Sequence, residues 1–295
     1  MSIKLVIQPK PSDIGDNFIV RRSLPRAGNK MVGPFIFWDH MGPVELNKER
    51  EMKVRAHPHI GLATITFLFS GEIMHRDSLG NEQIIRPGEV NWMTAGKGIV
   101  HSERSKVSKP MTLEGIQLWV ALPRDFEEVD PSFVHFKMKD LPTIEHSDAK
   151  LTLIAGSALG EKSPVPVYSD LFYLFGKMPQ GKTYIQNIDS NVESAVYITK
   201  GSLKIEGTSF DPASMIIFNP GEKIQFESVE DCEFMIFGGT PFPEKRHIWW
   251  NFVSSSKELI EQAKKAWSGG EFDPVVNETE MIPLPKGNYS ILCCS

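Results

Sequence analysis

The stretch from residue 56 to residue 69 reads Ala-His-Pro-His-Ile-Gly-Leu-Ala-Thr-Ile-Thr-Phe-Leu-Phe and joins two imidazoles to a strand-forming run. His57 and His59 are two residues apart, so in an extended strand both side chains emerge on the same face. The run from Thr64 to Phe69 is rich in β-branched and aromatic residues, and Gly71 follows it as a turn signal. The pattern therefore predicts a strand-rich fold with a pair of histidines on one sheet face.

Similar short apolar runs, separated by turn residues, continue to about residue 237. They recur roughly every ten residues, which is typical of β-sandwiches and barrels. One segment differs, because Ser255-Ser-Lys-Glu258 is a capping box and apolar residues at helical spacing follow it as far as Ser268-Gly269-Gly270. The sequence thus predicts an all-β protein with a short C-terminal helix.

Turn signals also repeat between the two halves of the chain. Gly71 and a later Pro87-Gly88 are echoed by Gly201 and a later Pro220-Gly221, each time with strand-like runs before and between them. This echo favours two similar β-barrels in tandem.

A second pair of candidate ligands, His101 and Glu103, follows the glycine turn Ala95-Gly-Lys-Gly98 at the same two-residue spacing. If the two pairs lie on neighbouring strands, three imidazoles and one carboxylate converge on one point. A lone His-x-His is more often an ordinary core or surface pair, so the hypothesis depends on both pairs together. Such a ligand set suits Fe, Mn, Ni, Cu or Zn, and an octahedral ion would keep two positions open, as a catalytic metal requires.

The remaining histidines show no such pairing, and we interpret them as ordinary, although the first two could line the same barrel mouth: His40, His75, His135, His146 and His247. In the second half, aligning the turns at Gly71 and Gly201 places Asn187 and Asp189 opposite His57 and His59. Aligning the later strands places Gln225 and Glu227 opposite His101 and Glu103. No histidine occupies these positions, so we expect one metal per chain.

The histidine pair lies within a longer series of motifs. These are Arg21-Arg-Ser-Leu-Pro25, Pro34-Phe-Ile-Phe-Trp-Asp39, His57 to Phe67, His75-Arg-Asp-Ser-Leu-Gly-Asn81, Trp92-Met-Thr-Ala-Gly96 and Val100-His-Ser-Glu103. Over roughly residues 20 to 122 they resemble the signature of the pirin family. Ordinary cupins take a glutamate shortly after His-x-His, whereas this chain has no carboxylate in Ile60-Gly-Leu-Ala-Thr64 and offers Glu103 instead, as pirins do.

The resemblance implies two tandem cupin-type β-barrels, a bicupin. We expect an N-terminal metal-binding cupin domain at residues 1–130. A C-terminal cupin domain without metal ligands, carrying the helix and tail, is expected at residues 131–295. The implied metal ligands are His57, His59, His101 and Glu103.

The same resemblance implies a quercetinase-like activity, in which flavonols are cleaved with O2 and carbon monoxide is released. The expected cofactor is one divalent transition metal per chain, with Fe(II) favoured and Ni, Mn, Cu and Zn possible. Glu103 would act as the general base. The expected reactants are a small aromatic substrate and O2, and five aromatic residues could line the pocket: Phe35, Phe37, Trp38, Phe67 and Trp92.

Two other functions stay open. The chain could be a metal- or redox-responsive regulatory protein of the transcriptional co-regulator type, acting through a protein partner. It could also be a sugar-phosphate isomerase, which would need a basic cluster beside the metal. Lys97 and Arg104 lie close to the ligands in the sequence, but two residues are thin support for such a cluster.

Composition limits the remaining classes of function. A formal net charge of −5 over 295 residues argues against direct nucleic-acid binding and against an anionic membrane surface. The N-terminal residues lack the pattern of a signal peptide, and the apolar runs are too short to span a bilayer. Three cysteines, Cys232, Cys293 and Cys294, do not form a disulfide framework. We therefore expect a cytoplasmic protein. We also expect a monomer, because the second fused barrel could supply the interface that single-barrel cupins form by dimerising.

Overall fold

The structure is a computed structural model that describes residues 2–15, 17–105, 107–286 and 292–294. In chain order the first strands are β1 (Ile3–Ile7), β2 (Lys10–Asp13), β3 (Ile19–Leu24), β4 (Phe35–Leu46), β5 (Met52–His59), β6 (Leu62–Ser70), β7 (Ile73–Asp77), β8 (Glu82–Ile85), β9 (Val90–Thr94), β10 (Ile99–Ser105), β11 (Met111–Ala121), β12 (Ser132–Phe136) and β13 (Thr143–His146). The later strands are β14 (Ala149–Ala158), β15 (Glu161–Lys162), β16 (Leu171–Met178), β17 (Thr183–Gln186), β18 (Glu193–Lys200), β19 (Leu203–Ile205), β20 (Thr208–Phe210), β21 (Met215–Phe218), β22 (Ile224–Ser228), β23 (Cys232–Gly239), β24 (Arg246–Trp249), β25 (Phe252–Ser254) and β26 (Leu292–Cys294). Two 3₁₀ turns (Arg124–Phe126 and Met138–Asp140) and one α-helix, α1 (Lys257–Gly269), complete the described elements.

The chain folds into two compact units that exchange segments. The first domain comprises residues 11–24, 36–137 and 243–295, and the second comprises residues 1–10, 25–35 and 138–242. The predicted division into residues 1–130 and 131–295 has its boundary close to the change at 137/138. Three segments depart from the linear division, since residues 1–10 and 25–35 belong to the second domain and residues 243–295 to the first.

The first domain is built from two antiparallel sheets. The larger one has the order β12-β9-β6-β11-β4-β3-β2 and the smaller one β5-β10-β7-β8. Both sheets contribute to one apolar core, with Met41, Leu68 and Leu113 from the larger sheet and Val54 and Ile73 from the smaller. Each sheet therefore directs one face inward, as the alternation of side chains along a strand requires.

The second domain repeats this plan. Its larger sheet has the order β1-β21-β18-β23-β16-β14-β13, with β15 on β14, and its smaller sheet has the order β17-β22-β19-β20. Its core likewise joins residues of both sheets, such as Val196 and Phe234 with Tyr184 and Phe226. The predicted all-β class with two tandem cupin-type halves is confirmed, although each half is a pair of facing sheets and not a closed barrel.

The C-terminal helix is confirmed, and its first turn differs in detail from the predicted capping box. Ser256, not Ser255, is the N-cap, because its hydroxyl oxygen accepts hydrogen bonds from the backbone N–H groups of Glu258 and Leu259. Ser255 instead donates its backbone N–H and hydroxyl to the buried carboxylate of Glu127, at 2.7 and 3.0 Å. Gly270 ends the helix with a φ of 72°, a left-handed conformation that glycine adopts without steric cost.

Among the residues that the structure describes, no helix combines the length and the apolar character that a membrane-spanning helix needs.

Candidate metal centre

The inward faces of β5 and β10 bring the two predicted ligand pairs together. The strands are antiparallel neighbours, and His101 lies directly opposite His57. One ring nitrogen from each of His57, His59 and His101 can be chosen so that all three lie within 4.8 Å of one another. Among the described residues, a search for three or more histidine, cysteine or acidic side chains close enough to share one metal ion finds these three histidines.

Backbone acceptors orient two of the three rings. Nδ1 of His57 lies 2.8 Å from the carbonyl oxygen of Arg55, and Nδ1 of His59 lies 3.2 Å from the carbonyl oxygen of Asn251. These contacts place the proton on Nδ1, which leaves each Nε2 with a free lone pair that points into the cluster. The arrangement is that of metal-binding histidines, whose second nitrogen donates to a nearby acceptor.

Nε2 of His59 and Nε2 of His101 are 3.1 Å apart. Two nitrogens that each lie about 2.1 Å from one ion, at a right angle, are about 3.0 Å apart. The observed separation therefore fits two neighbouring ligands of one metal. Without a metal, His101 Nε2–H can donate to the lone pair on His59. For Nε2 to bind a metal, this proton would move to Nδ1 of the same ring.

The cluster is held in its neutral, metal-binding form. Burial lowers the pKa of His57 to about 4 and lowers the pKa values of His59 and His101 well below the usual range. His59 and His101 also face neighbouring imidazoles, which adds to the effect. Protons therefore do not compete with a metal for these nitrogens at neutral pH.

Glu103 lies on the same strand and the same face as His101, and it is buried. Its carboxylate is outside the group of three imidazoles that meet within 4.8 Å. Its Oε1 is 3.4 Å from the hydroxyl of Thr66, which also donates to Gln117 at 2.6 Å. Burial raises the pKa of Glu103 to about 7. The carboxyl group is thus buried beside the histidines and takes up a proton near neutral pH.

His75 and Asp77 on β7 are a feature that the sequence interpretation missed. They lie opposite Glu103 and His101 on the adjacent strand. Nε2 of His75 is 3.0 Å from Asp77, and the ring of His75 stacks on Phe133 at 4.3 Å, with the ring of His101 at 5.3 Å. The signal was present in the sequence, because His75-Arg-Asp77 has the same two-residue spacing as the ligand pairs.

Of the five aromatic residues expected to line a pocket, Phe37 is connected to the site through ring contacts. Its ring stacks on Trp119 at 3.9 Å, and Trp119 meets the ring of His59 edge-on at 5.1 Å. Phe35 packs on Tyr173 and Phe237 in the core of the second domain instead. Trp119 was not singled out in the sequence, because aromatic residues in strands are most often core residues.

The basic cluster that a sugar-phosphate isomerase would need is not formed by the two expected residues. Lys97 is exposed and pairs with Asp130 at 2.6 Å. Arg104 points to the outer face of β10 and pairs with Glu278 at 2.6 Å. Both cations are therefore compensated by carboxylates that are not part of the histidine cluster.

In the second domain, Tyr184, Gln186 and Phe226 take the inward positions that the histidines occupy in the first. Tyr184 lies opposite Phe226 as His57 lies opposite His101, and Gln186 lies opposite Ile224 as His59 lies opposite Ile99. The hydroxyl of Tyr184 donates to Gln186 at 2.6 Å, and the ring of Tyr184 stacks on Phe226. A cavity of about 600 Å³ opens beside Gln186.

The expected alignment of the second half is therefore wrong, although its conclusion that these positions carry no histidine is confirmed. All four residues that it placed at the ligand positions are exposed: Asn187, Asp189, Gln225 and Glu227. The physical reason is a longer connection between strands, which runs over residues 187–192 in the second domain and only over 60–61 in the first. An alignment anchored on the following glycine turn therefore slips along the strand.

Comparisons with known proteins agree with this architecture. Residues 17–120 match the Pirin family profile, and residues 173–273 match the profile of the Pirin C-terminal cupin domain. A Pirin-like protein of Caulobacter vibrioides is 47% identical over 96% of this chain and 100% of its own length. A Pseudomonas aeruginosa protein, whose name assigns it provisionally to the quercetin 2,3-dioxygenases, is 35% identical over 90% of this chain and 84% of its own length. The crystal structure of a quercetin 2,3-dioxygenase from Acinetobacter baumannii superposes with a TM-score of 0.91 at 29% identity, covering 98% of this chain and 97% of that one.

Proposed function

The chain belongs to the pirin family, and from that premise we propose that it is a metal-dependent dioxygenase that cleaves flavonols such as quercetin with O2 and releases carbon monoxide. The observation that carries the proposal is the buried cluster of His57, His59 and His101, with a carboxyl group on the same inward face. The names of its relatives from Pseudomonas and Acinetobacter support the substrate class.

We propose that His57, His59, His101 and Glu103 hold one divalent transition metal, for which Fe(II) is favoured over Ni, Mn, Cu and Zn. When bound, such an ion acts as a Lewis acid that lowers the pKa of a coordinated hydroxyl group and promotes reaction with O2. The three neutral imidazoles supply nitrogen ligands that suit these ions. The substrate would be a small aromatic molecule whose hydroxyl and ketone oxygens can enter the open positions.

Glu103 is the proposed general base. A carboxyl group whose pKa lies near 7 exchanges a proton most effectively at neutral pH, and burial raises the pKa of Glu103 to about 7. The hydroxyl of Thr66, which donates to Gln117 at 2.6 Å, also lies 3.4 Å from Oε1 of Glu103 as a donor, so the ionised form of Glu103 keeps a hydrogen-bond partner. Glu103 can therefore hold the proton that a flavonol hydroxyl releases at a position that is buried from bulk water.

The test is oxygen consumption by the Fe(II)-loaded protein with quercetin, combined with detection of carbon monoxide in the headspace. We expect turnover with carbon monoxide release, and a loss of about a hundredfold or more in Glu103→Gln. Glu128→Gln is the matched control, because Glu128 is exposed on the same domain. A protein that carries one Fe, Ni, Mn or Cu per chain and still does not turn over quercetin would refute the proposal and favour a metal-responsive regulatory role.

Two finer statements belong to the same proposal. The active species is a monomer, which light scattering tests against the chain mass of 33.2 kDa. The compartment is the cytoplasm, where the thiol of the buried, free Cys232 stays reduced. A fluorescent fusion tests the compartment.

A further inference from the structure

Residues 272–282 run along the outer face of β5 and β10, directly behind the histidine cluster, and we name this segment the clasp. The backbone N–H of Ala56 donates to the carbonyl of Glu280 at 3.1 Å, and the N–H of Ile282 donates to the carbonyl of Ala56 at 2.8 Å. Phe272 and Val275 pack in one apolar cluster with Ala56 and Val100. The clasp therefore adds a short strand-like edge to the sheet that carries the ligands.

This pairing accounts for an irregularity in β5. His101 lies opposite His57 and Glu103 lies opposite Val54, so Arg55 and Ala56 together face the single residue Ser102. Such a bulge leaves one residue without its partner in the ladder. The polar backbone groups of Ala56 are satisfied by the clasp and not by β10.

Glu278 is the charged centre of the clasp, and its side chain is only 4% exposed. Its carboxylate accepts a hydrogen bond from the hydroxyl of Ser102 at 2.9 Å. It also accepts from Nε of Arg104 at 2.8 Å and from Nη2 of Arg104 at 2.6 Å, the two-pronged geometry in which arginine binds carboxylates most strongly. Nη1 of Arg76 lies 3.8 Å away.

The residues that Glu278 contacts alternate with the residues of the site. On β10, Ser102 lies between His101 and Glu103. On β7, Arg76 lies opposite Ser102 and between His75 and Asp77. Successive side chains of a strand point to opposite faces of the sheet. The carboxylate of Glu278 therefore contacts the outer face of β7 and β10, and the site residues lie on the inner face of the same two strands.

Of the three histidine rings, that of His101 depends most on the position of its strand. His57 and His59 each have a backbone acceptor that orients the ring, whereas Nδ1 of His101 is buried and makes no hydrogen bond to the described residues. The position of its ring is therefore set by the backbone of β10 and by packing.

We propose that Glu278 is a positioning residue for the metal centre: through Ser102 and Arg104 it fixes the strand that presents His101, so the clasp sets the affinity of the site for metal. The proposal rests on the part of the proposed function that places a metal on the histidine cluster, and it does not depend on any substrate. Since coupling between two events is reciprocal, metal binding in turn stabilises the clasp against opening.

The experiment compares Glu278→Gln with Glu280→Gln. Glu280 lies in the same segment and also contacts Arg104, at 3.0 Å, but its side chain is 59% exposed. Dissociation constants for Ni(II) are measured by competition with a chromogenic chelator, and the stability of each metal-free variant is measured by urea unfolding. We expect Glu278→Gln to weaken nickel binding about tenfold, the lower end of the effect of residues that support metal ligands, and Glu280→Gln to change it less than about twofold.

A merely structural role would lower the stability of the metal-free protein and leave the dissociation constant unchanged, and that result would overturn the proposal. Ser102→Ala removes one hydrogen bond to Glu278 and keeps the arginine pair, so it gives the answer if Glu278→Gln does not fold. Its nickel affinity is expected to fall about threefold, and an unchanged affinity contradicts the proposal.

Amide hydrogen exchange tests the coupling between metal binding and the clasp without mutating any proposed metal ligand. Nickel is expected to slow the exchange of the amides of Ala56 and Ile282 in the unaltered chain and to protect them less in Glu278→Gln. Equal protection in both proteins would count against the coupling. A protein that binds nickel tightly and does not oxidise quercetin would refute the proposed activity and leave this inference standing.

Discussion

The pH dependence of metal affinity separates a four-ligand site from one built of three histidines. The perturbation is Glu103→Gln, which keeps the size of the side chain and removes its ionisation. In the metal-free protein the pKa of Glu103 is raised to about 7 by burial, whereas the pKa of His57 is lowered to about 4. Between pH 7 and pH 5, therefore, Glu103 is the ligand candidate that competes for protons.

The magnitude follows from the two ionised fractions. A group with a pKa of 7 is about half ionised at pH 7 and about one hundredth ionised at pH 5, so a metal that requires the carboxylate loses about 50-fold in affinity. The sign is fixed, since the metal binds the deprotonated form and releases a proton. The histidines add little in this range, because burial lowers the pKa of His57 to about 4 and the pKa values of His59 and His101 well below the usual range.

The assay is isothermal titration with Ni(II) at pH 7, 6 and 5, with the number of released protons determined from buffers of different ionisation enthalpy. We expect a steep dependence in the unaltered chain and a flat one in Glu103→Gln. Thr66→Val is an internal control: the hydrogen bond from Thr66 lowers the pKa of Glu103, so its removal shifts the curve towards higher pH. Parallel curves for the unaltered chain and Glu103→Gln would refute the reasoning and leave a site of three imidazoles.

Three further predictions concern individual contacts. His59→Ala removes a nitrogen that lies 3.1 Å from its neighbour in the cluster, and we expect metal content, measured by plasma mass spectrometry, to fall below about a tenth; full occupancy would exclude His59 as a ligand. Arg246→Met leaves the carboxylate of Glu127, which is 3.1 Å from Arg246, buried without its cation, so urea unfolding should show a loss of about 3–5 kcal/mol, against less than about 0.5 kcal/mol for the exposed Arg124→Met. Ser256→Ala removes the N-cap of α1 and should lower the free energy of unfolding by about 1 kcal/mol; no change would mean that the helix is held by packing alone.

Much of the fold and of the site could be predicted because the decisive signals are local. The two-residue spacing of His57 and His59, and of His101 and Glu103, depends only on strand geometry, and the structure places all four side chains on the inward face. That spacing also marks His75 and Asp77, where it was overlooked. The roles of His57, His59, His101 and Glu103 as metal ligands stay predictions.

The remainder depends on contacts between residues far apart in sequence. Glu278 reaches Ser102 across 176 positions, and nothing in the spacing of either residue indicates the other. The assignment of residues 1–10 to the second domain and of residues 243–295 to the first could not be predicted from the sequence for the same reason. In the second domain, one longer connection was enough to shift an alignment made without registers, so Tyr184 and Gln186 were missed.

The segment exchange sets an order of events during synthesis. The strands with His57 and His101 leave the ribosome well before residues 243–295, although all of them belong to the first domain. At about 5–20 residues per second, the delay between His101 and Glu278 is on the order of ten seconds. During that interval the nascent chain presents its histidines without the segment that backs them, while the second domain emerges and can fold. On the proposals above, the site is therefore expected to reach its full affinity for metal only after the last part of the first domain has been translated.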